Sequence, residues 1–170
     1  GYAILTRLDA SPEAKLALVG YGESSDAYHM SHPHPEGLGA LAAIDAALAR
    51  AGLAAHAIEY INLHGTASRA NDLVETRVLA RRFGAGTCAS STKGWTGHTL
   101  GAAGILEAVI TLDAMTTGLI PGTLNCMVVD PEFEFHIQQE NRHGRVNYAM
   151  SNSFGFGGHN ASILVRKFEE

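Results

Sequence analysis

Short β-type runs alternate with helical stretches along this 170-residue chain, and that order constrains the fold more than any single motif. Lys15 to Gly22 reads KLALVGYG, a β-type run closed by glycine. The loop ESSDAYHMSHPHPEG follows, with prolines that forbid regular structure. Gly37 to Ala51 predicts an alanine-rich helix stopped by Gly52. IEYINLH, Ile58 to His64, reads as a short buried strand. After GTASRAN, Asp72 and Glu75 predict a capping box, with Asp72 as N-cap of a helix reaching about Phe83. TCASST is another short strand, and Leu100 to Thr117 is the longest helix, with Gly118 as its stop and Pro121 beyond. Three β-type stretches close the chain, FEFHI, RVNYAMSNS and NASILVRKF, the last two flanking the loop FGFGG; the opening YAILTRL is also strand-like. Strands alternating with helices predict an α/β fold, one layered domain over 1–170 with a mixed, largely parallel sheet and a C-terminal antiparallel hairpin.

Composition narrows the function classes. An apolar share of 46% against 17% charged residues is enough to bury a proper core. A formal net charge of −5 offers no basic stripe, which argues against a nucleic-acid partner. The apolar run Ala102 to Met115 is interrupted by Glu107 and Asp113, so no membrane span is expected. Cys88 and Cys126 lack metal-type spacing and suit a reducing cytoplasm better than a disulfide framework. The chain opens on Gly1 inside a strand-like run, which suggests a fragment of something longer.

The chemistry-bearing residues sit where the predicted strands end. His64 closes IEYINLH and is followed by Gly65, Thr66 and Ser68; Lys93 and His98 follow CASST; SNSFGFGGHN follows a third strand. In open α/β sheets ligands gather at the carboxyl ends of strands, so three such ends are expected to converge on one pocket. An ammonium beside an imidazole disfavours protonation of the ring, and a neutral ring can donate a hydrogen bond to developing oxyanion charge. Glu75 is positioned to pair with Lys93 and hold it.

NLHGTAS with Asp72 and Glu75, SSTKGWTGHTLGAAG, and SNSFGFGGHNA resemble the three C-terminal signatures of the β-ketoacyl-acyl-carrier-protein synthases of the thiolase fold, and GESSDAYHMSHPHPEG resembles the loop upstream of them. The resemblance spans nearly the whole chain, in the family's order and spacing. It implies the C-terminal half of a thiolase-like enzyme and decarboxylative Claisen condensation: an acyl group on an active-site cysteine is attacked by the carbanion that malonyl-carrier protein forms on losing carbon dioxide. By the same resemblance His64 and His98 support decarboxylation, Lys93 orders them, and Glu75 is the lysine's partner. Thr66 contacts the phosphopantetheine arm, and Ser68 stands where threonine is usual. Phe154 to Gly158 gates the acyl pocket and supplies an oxyanion-hole amide at Phe156. Implied partners are an acyl carrier protein, the N-terminal half of the same enzyme and, when complete, a second copy in a homodimer; no cofactor is implied.

Two departures qualify that resemblance. His159 replaces a common threonine, and neither cysteine matches the nucleophile's context, so the cysteine is expected in an N-terminal half. Cys88 lies within a strand, where a core role is the simpler reading. The cluster His29, His32 and His34 invites a zinc reading, yet no cysteine or carboxylate completes four ligands, and no metal is expected. GHTLGAAG lacks the G-x-G-x-x-G order of a dinucleotide loop. Two other functions stand beside the enzyme: a non-catalytic chain-length subunit, which the retention of His64, Lys93 and His98 disfavours, and a degradative thiolase, which would need a cysteine in the C-terminal glycine-rich motif.

Overall fold

The computed structural model describes residues 2–168. In chain order the elements are β1 (Leu16–Ser25), α1 (Leu38–Ala51), β2 (Tyr60–Asn62), α2 (Arg69–Arg82), β3 (Cys88–Ser90), α3 (Lys93–Thr96), α4 (Ala103–Thr117), β4 (Leu119–Ile120), β5 (Arg142–His143), β6 (Tyr148–Gly155) and β7 (His159–Lys167). Among the described residues five strands form one sheet in the order β1-β7-β6-β2-β3, while β4 and β5 form a separate antiparallel ribbon. β2 pairs in parallel with both β3 and β6, whereas β7 runs antiparallel to β6 and β1. Only β7 therefore opposes the common direction. The sheet is mixed and largely parallel, and β6 with β7 forms the expected C-terminal hairpin.

Period-two alternation along the strands divides the core into two layers. Ile61, Met150 and Leu164 face α1 and α2, where they bury Ile44, Leu48, Val78 and Leu79. Their neighbours Tyr60, Ala149 and Val165 face the opposite way, onto Ala114 and Met115 of α4. The short strands β2 and β3 are thus covered on both faces, the burial expected of parallel strands. Close approach of α1 to β1 depends on glycine: a Cβ on Gly22 would lie 1.8 Å from the carbonyl oxygen of Ala43. Left-handed Gly52 and Gly118 end α1 and α4, as the sequence predicts.

Several expectations need correction. β1 continues to Ser25, into the segment expected to be loop, because β7 pairs with it as far as His159. α2 begins three residues before Asp72, with Ser68 as N-cap. Asp72 instead accepts the Thr66 N–H at 3.1 Å, so it steadies the turn before the helix. FEFHI forms no strand; Phe135 and Ile137 bury against the first core layer while the backbone touches β3 through Gln138 N–H to the Ala89 carbonyl, 2.8 Å. The opening apolar run is not a strand either, and Tyr2, Ile4 and Leu5 are exposed. Leu100–Thr117 is long and apolar enough by composition to cross a membrane, but here it packs against the sheet and turns Glu107 inward onto Lys93.

Candidate active site

The adjacency β6-β2-β3, with all three strands parallel, brings their carboxyl ends together. His64 lies two residues past β2, Lys93 and His98 follow β3, and Phe154 and Gly155 end β6 and lead into Phe156 to Gly158. These ends border an open cavity of about 1050 Å³ whose wall includes His64, Thr66, Ser68, His98, Phe154 and Phe156. Lys93 and Glu75 sit behind that wall, both buried.

The two imidazoles meet edge to face, with ring centroids 5.4 Å apart and planes at 84°. His64 also packs against Phe154 at 5.8 Å, and its Nδ1 is buried without a hydrogen-bond partner among the described residues. Burial pushes the His64 pKa down to about 3, with Lys93 and then His98 adding to the shift. His98 is lowered as well, by burial and by Lys93. Both rings are therefore held toward neutrality. For His98 the tautomer follows from the backbone: the Leu100 N–H donates to Nδ1 at 3.2 Å, which leaves Nε2 to carry the ring proton. Leu100 reaches this position with a left-handed φ of 51°.

Glu75 does not pair with Lys93. Its Oε1 and Oε2 accept the N–H groups of His64 and Gly65, each at 2.9 Å, and so it fixes the backbone on which His64 stands. Burial raises the Glu75 pKa to about 7, the two backbone donors opposing the shift. The partner of Lys93 is Glu107 on α4, a residue that the sequence marks only as an interruption of an apolar helix. Lys93 Nζ donates to the Glu107 carboxylate and to the carbonyl oxygen of His64. Burial raises the Glu107 pKa, while Lys93 pulls it back. Charge interrupting a largely apolar helix was the available signal for this partner, a mark that Asp113 shares.

The turn after His64 is tightly built. Ser91 Oγ donates to the Gly65 carbonyl at 2.7 Å, and Gly65 has φ 37°. A Cβ at Gly65 would lie 2.5 Å from that of Ser91, so only glycine fits. Beyond the turn, the hydroxyls of Thr66 and Ser68 lie 2.9 Å apart at the cavity. On the far wall, Phe156 is 76% exposed and belongs to a loop braced against residues 26–30. The Gly157 N–H donates to the Met30 carbonyl, and the Asp26 N–H to the Gly158 carbonyl, each at 2.8 Å. Asn160 Nδ2 adds a bond to Asp26 Oδ1 at 2.9 Å. Cys88 and Cys126 are free thiols outside the cavity wall.

Residues 16–127 match the family model described as "Beta-ketoacyl synthase, C-terminal domain". The chain belongs to the β-ketoacyl synthase C-terminal domain family. A curated relative, 3-oxoacyl-[acyl-carrier-protein] synthase 2 of Synechocystis, is 42% identical over 156 residues, which cover 89% of this chain and 38% of that protein. Among solved structures, a ketosynthase from Xenorhabdus doucetiae in complex with its chain length factor superposes with a TM-score of 0.83 at 43% identity, covering 91% of this chain and 40% of that one. A ketosynthase bound to a hexaketide, in complex with a type II polyketide acyl-carrier protein, gives a TM-score of 0.85 at 28% identity over 89% of this chain and 38% of that one. The chain thus spans about two fifths of the length of these relatives, and its layered sheet is the thiolase-like fold of ketosynthases.

Proposed function

We propose that this chain is the C-terminal catalytic half of a β-ketoacyl-acyl-carrier-protein synthase, and that residues outside it supply the cysteine that carries the acyl group. The edge-to-face pair of His64 and His98 on the cavity wall, both held toward neutrality, is the observation that carries the reading. In the reaction the malonyl thioester breaks its bond to the carboxylate, carbon dioxide leaves, and the electron pair delocalises onto the thioester oxygen. His98, with its proton on Nε2, is suited to donate a hydrogen bond to that oxygen, and His64 stands beside it. A neutral donor stabilises the enolate without holding it as a tight ion pair. The resulting carbanion attacks the acyl-cysteine carbonyl, a carbon–carbon bond forms, and the cysteine departs as thiolate. Without that cysteine the chain decarboxylates at most and cannot condense.

The remaining residues have supporting roles in this reading. Lys93 and Glu75 anchor His64 from behind through its carbonyl and its N–H. In this reading the hydroxyls of Thr66 and Ser68, on the cavity wall, meet the pantetheine arm of a carrier protein. Phe154 and Phe156 border the acyl space, with the Phe156 N–H as an oxyanion donor. Retention of both histidines and the lysine favours an enzyme over a chain-length subunit.

The decisive experiment is His98→Ala in the full-length protein, assayed with malonyl-carrier protein. Carbon dioxide release is expected to be lost while acyl transfer to the cysteine persists. Undiminished decarboxylation would remove His98 from the mechanism.

A further inference from the structure

The loop between β1 and α1 carries three histidines that the condensation does not use, and the fold sorts them. His34 turns away: its ring packs against Tyr28 at a tilt, with centroids 5.1 Å apart and planes at 60°, and its Nδ1 accepts the Glu36 N–H at 3.1 Å. His29 and His32 turn toward each other, edge to face at 4.7 Å, with their Nδ1 atoms only 3.1 Å apart. Ser31 Oγ lies 3.4 Å from the first Nδ1 and 3.2 Å from the second. Because the Ser31 N–H also donates to His29 Nδ1 at 3.1 Å, that atom is an acceptor, and the neutral pair holds together only if His32 carries its proton on Nδ1. Two ring nitrogens and one hydroxyl oxygen therefore converge on one point.

A divalent ion fits the same point. Nitrogens 3.1 Å apart, each about 2.0–2.1 Å from an ion, subtend an angle near 100°, a modest compression of the tetrahedral value. Neutral imidazole suits zinc, copper and nickel, whereas magnesium and calcium prefer oxygen donors. On binding, the His32 Nδ1 proton moves to Nε2, and the ion takes the place of the Ser31 N–H at His29 Nδ1. Both side chains are exposed, which leaves the other coordination positions to water. We propose that His29 and His32, helped by Ser31, form a binding site for a first-row divalent cation of the zinc class at the rim of the cavity.

The site's position gives it a consequence. His32 and Ser31 line the cavity, and Met30, between the two ligands, holds the Gly157 N–H through its carbonyl. An ion pinning His29 to His32 fixes the Met30 carbonyl and thereby tightens the glycine-rich loop against its neighbour.

The test is a zinc chloride titration of chelator-treated full-length protein by calorimetry, with hydrogen exchange at Gly157 as a second readout. One equivalent is expected to bind, with His29→Gln and His32→Gln each weakening it by at least about tenfold and His34→Gln leaving it unchanged. Zinc is also expected to slow Gly157 exchange in the parent and not in His32→Gln. Glutamine at these exposed positions leaves the core untouched. Binding that survives both substitutions, as it would if zinc sat at the catalytic histidines, overturns the proposal. So does the lack of saturable binding below about 100 µM.

Discussion

Lys93 on α3 and Glu107 on α4 form a buried ion pair, with side chains 6% and 2% exposed. The same ammonium also holds the His64 carbonyl, so one side chain ties the turn after β2 to α3 and α4 at the back of the cavity. Removing only the lysine strands a carboxylate whose Oε2 already lacks a partner. Lys93→Met is expected to lower stability by about 3–5 kcal/mol in urea unfolding. Adding Glu107→Leu should restore part of the loss, since the stranded carboxylate is gone while the His64 carbonyl still lacks its donor. Equal stability of parent and single variant would contradict the pairing.

Activity should not follow stability in that series. The repaired Lys93→Met, Glu107→Leu protein has lost the ammonium that adds to burial in keeping His64 neutral and that holds its carbonyl in place. Its decarboxylation rate is expected to stay about 10²- to 10³-fold below the parent. Recovery of rate together with stability would make Lys93 a packing element alone.

Leu100 holds a left-handed conformation although its side chain is 71% exposed. The conformation aims its N–H at His98 Nδ1, and for a non-glycine residue it costs about 1–3 kcal/mol. Leu100→Gly should therefore raise the unfolding midpoint slightly while lowering the decarboxylation rate, because the freed backbone no longer fixes the His98 tautomer. A fall in both quantities would show that the leucine side chain, not its backbone, is what matters.

Much of this site was legible because the motifs fall at strand ends and the sheet places those strands side by side. His64, His98 and the glycine-rich loop follow β2, β3 and β6, which are neighbours. The errors share one physical origin, contacts between residues far apart in sequence. Lys93 and Glu107 sit 14 positions apart on separate elements, and no local pattern pairs them. Glu75 looked like a helix cap because its spacing from Asp72 fits one, yet its carboxylate reaches out of the helix to the turn after β2. FEFHI has the β-type composition of a strand, but Phe135 and Ile137 bury against the core without a strand ladder, which burial does not require. The approach of His29 to His32 depends on how the intervening loop closes, which their spacing alone does not set.

Opposed titrations at Glu75 and His64 should shape stability in mild acid. The Glu75 pKa rises from 4.5 to about 7 on folding, so the native state takes this proton first; the stability it adds is fully present below pH 4.5 and lost as pH rises through 7. The His64 pKa falls from 6.5 to about 3; its contribution is present above pH 6.5 and lost as pH falls toward 3. Between pH 4.5 and 6.5 the two slopes oppose each other, and below 4.5 only the histidine acts. Urea midpoints of the parent are expected to change little across the upper window and to fall below it. Glu75→Gln cannot accept both backbone N–H groups, so it should be less stable than the parent, with the deficit largest near pH 4.5, where the parent's Glu75 contribution is complete, and shrinking toward pH 7. With the carboxyl titration gone, its stability should climb steadily from pH 4.5 to 6.5. A variant profile parallel to the parent's would show that Glu75 does not titrate in that window.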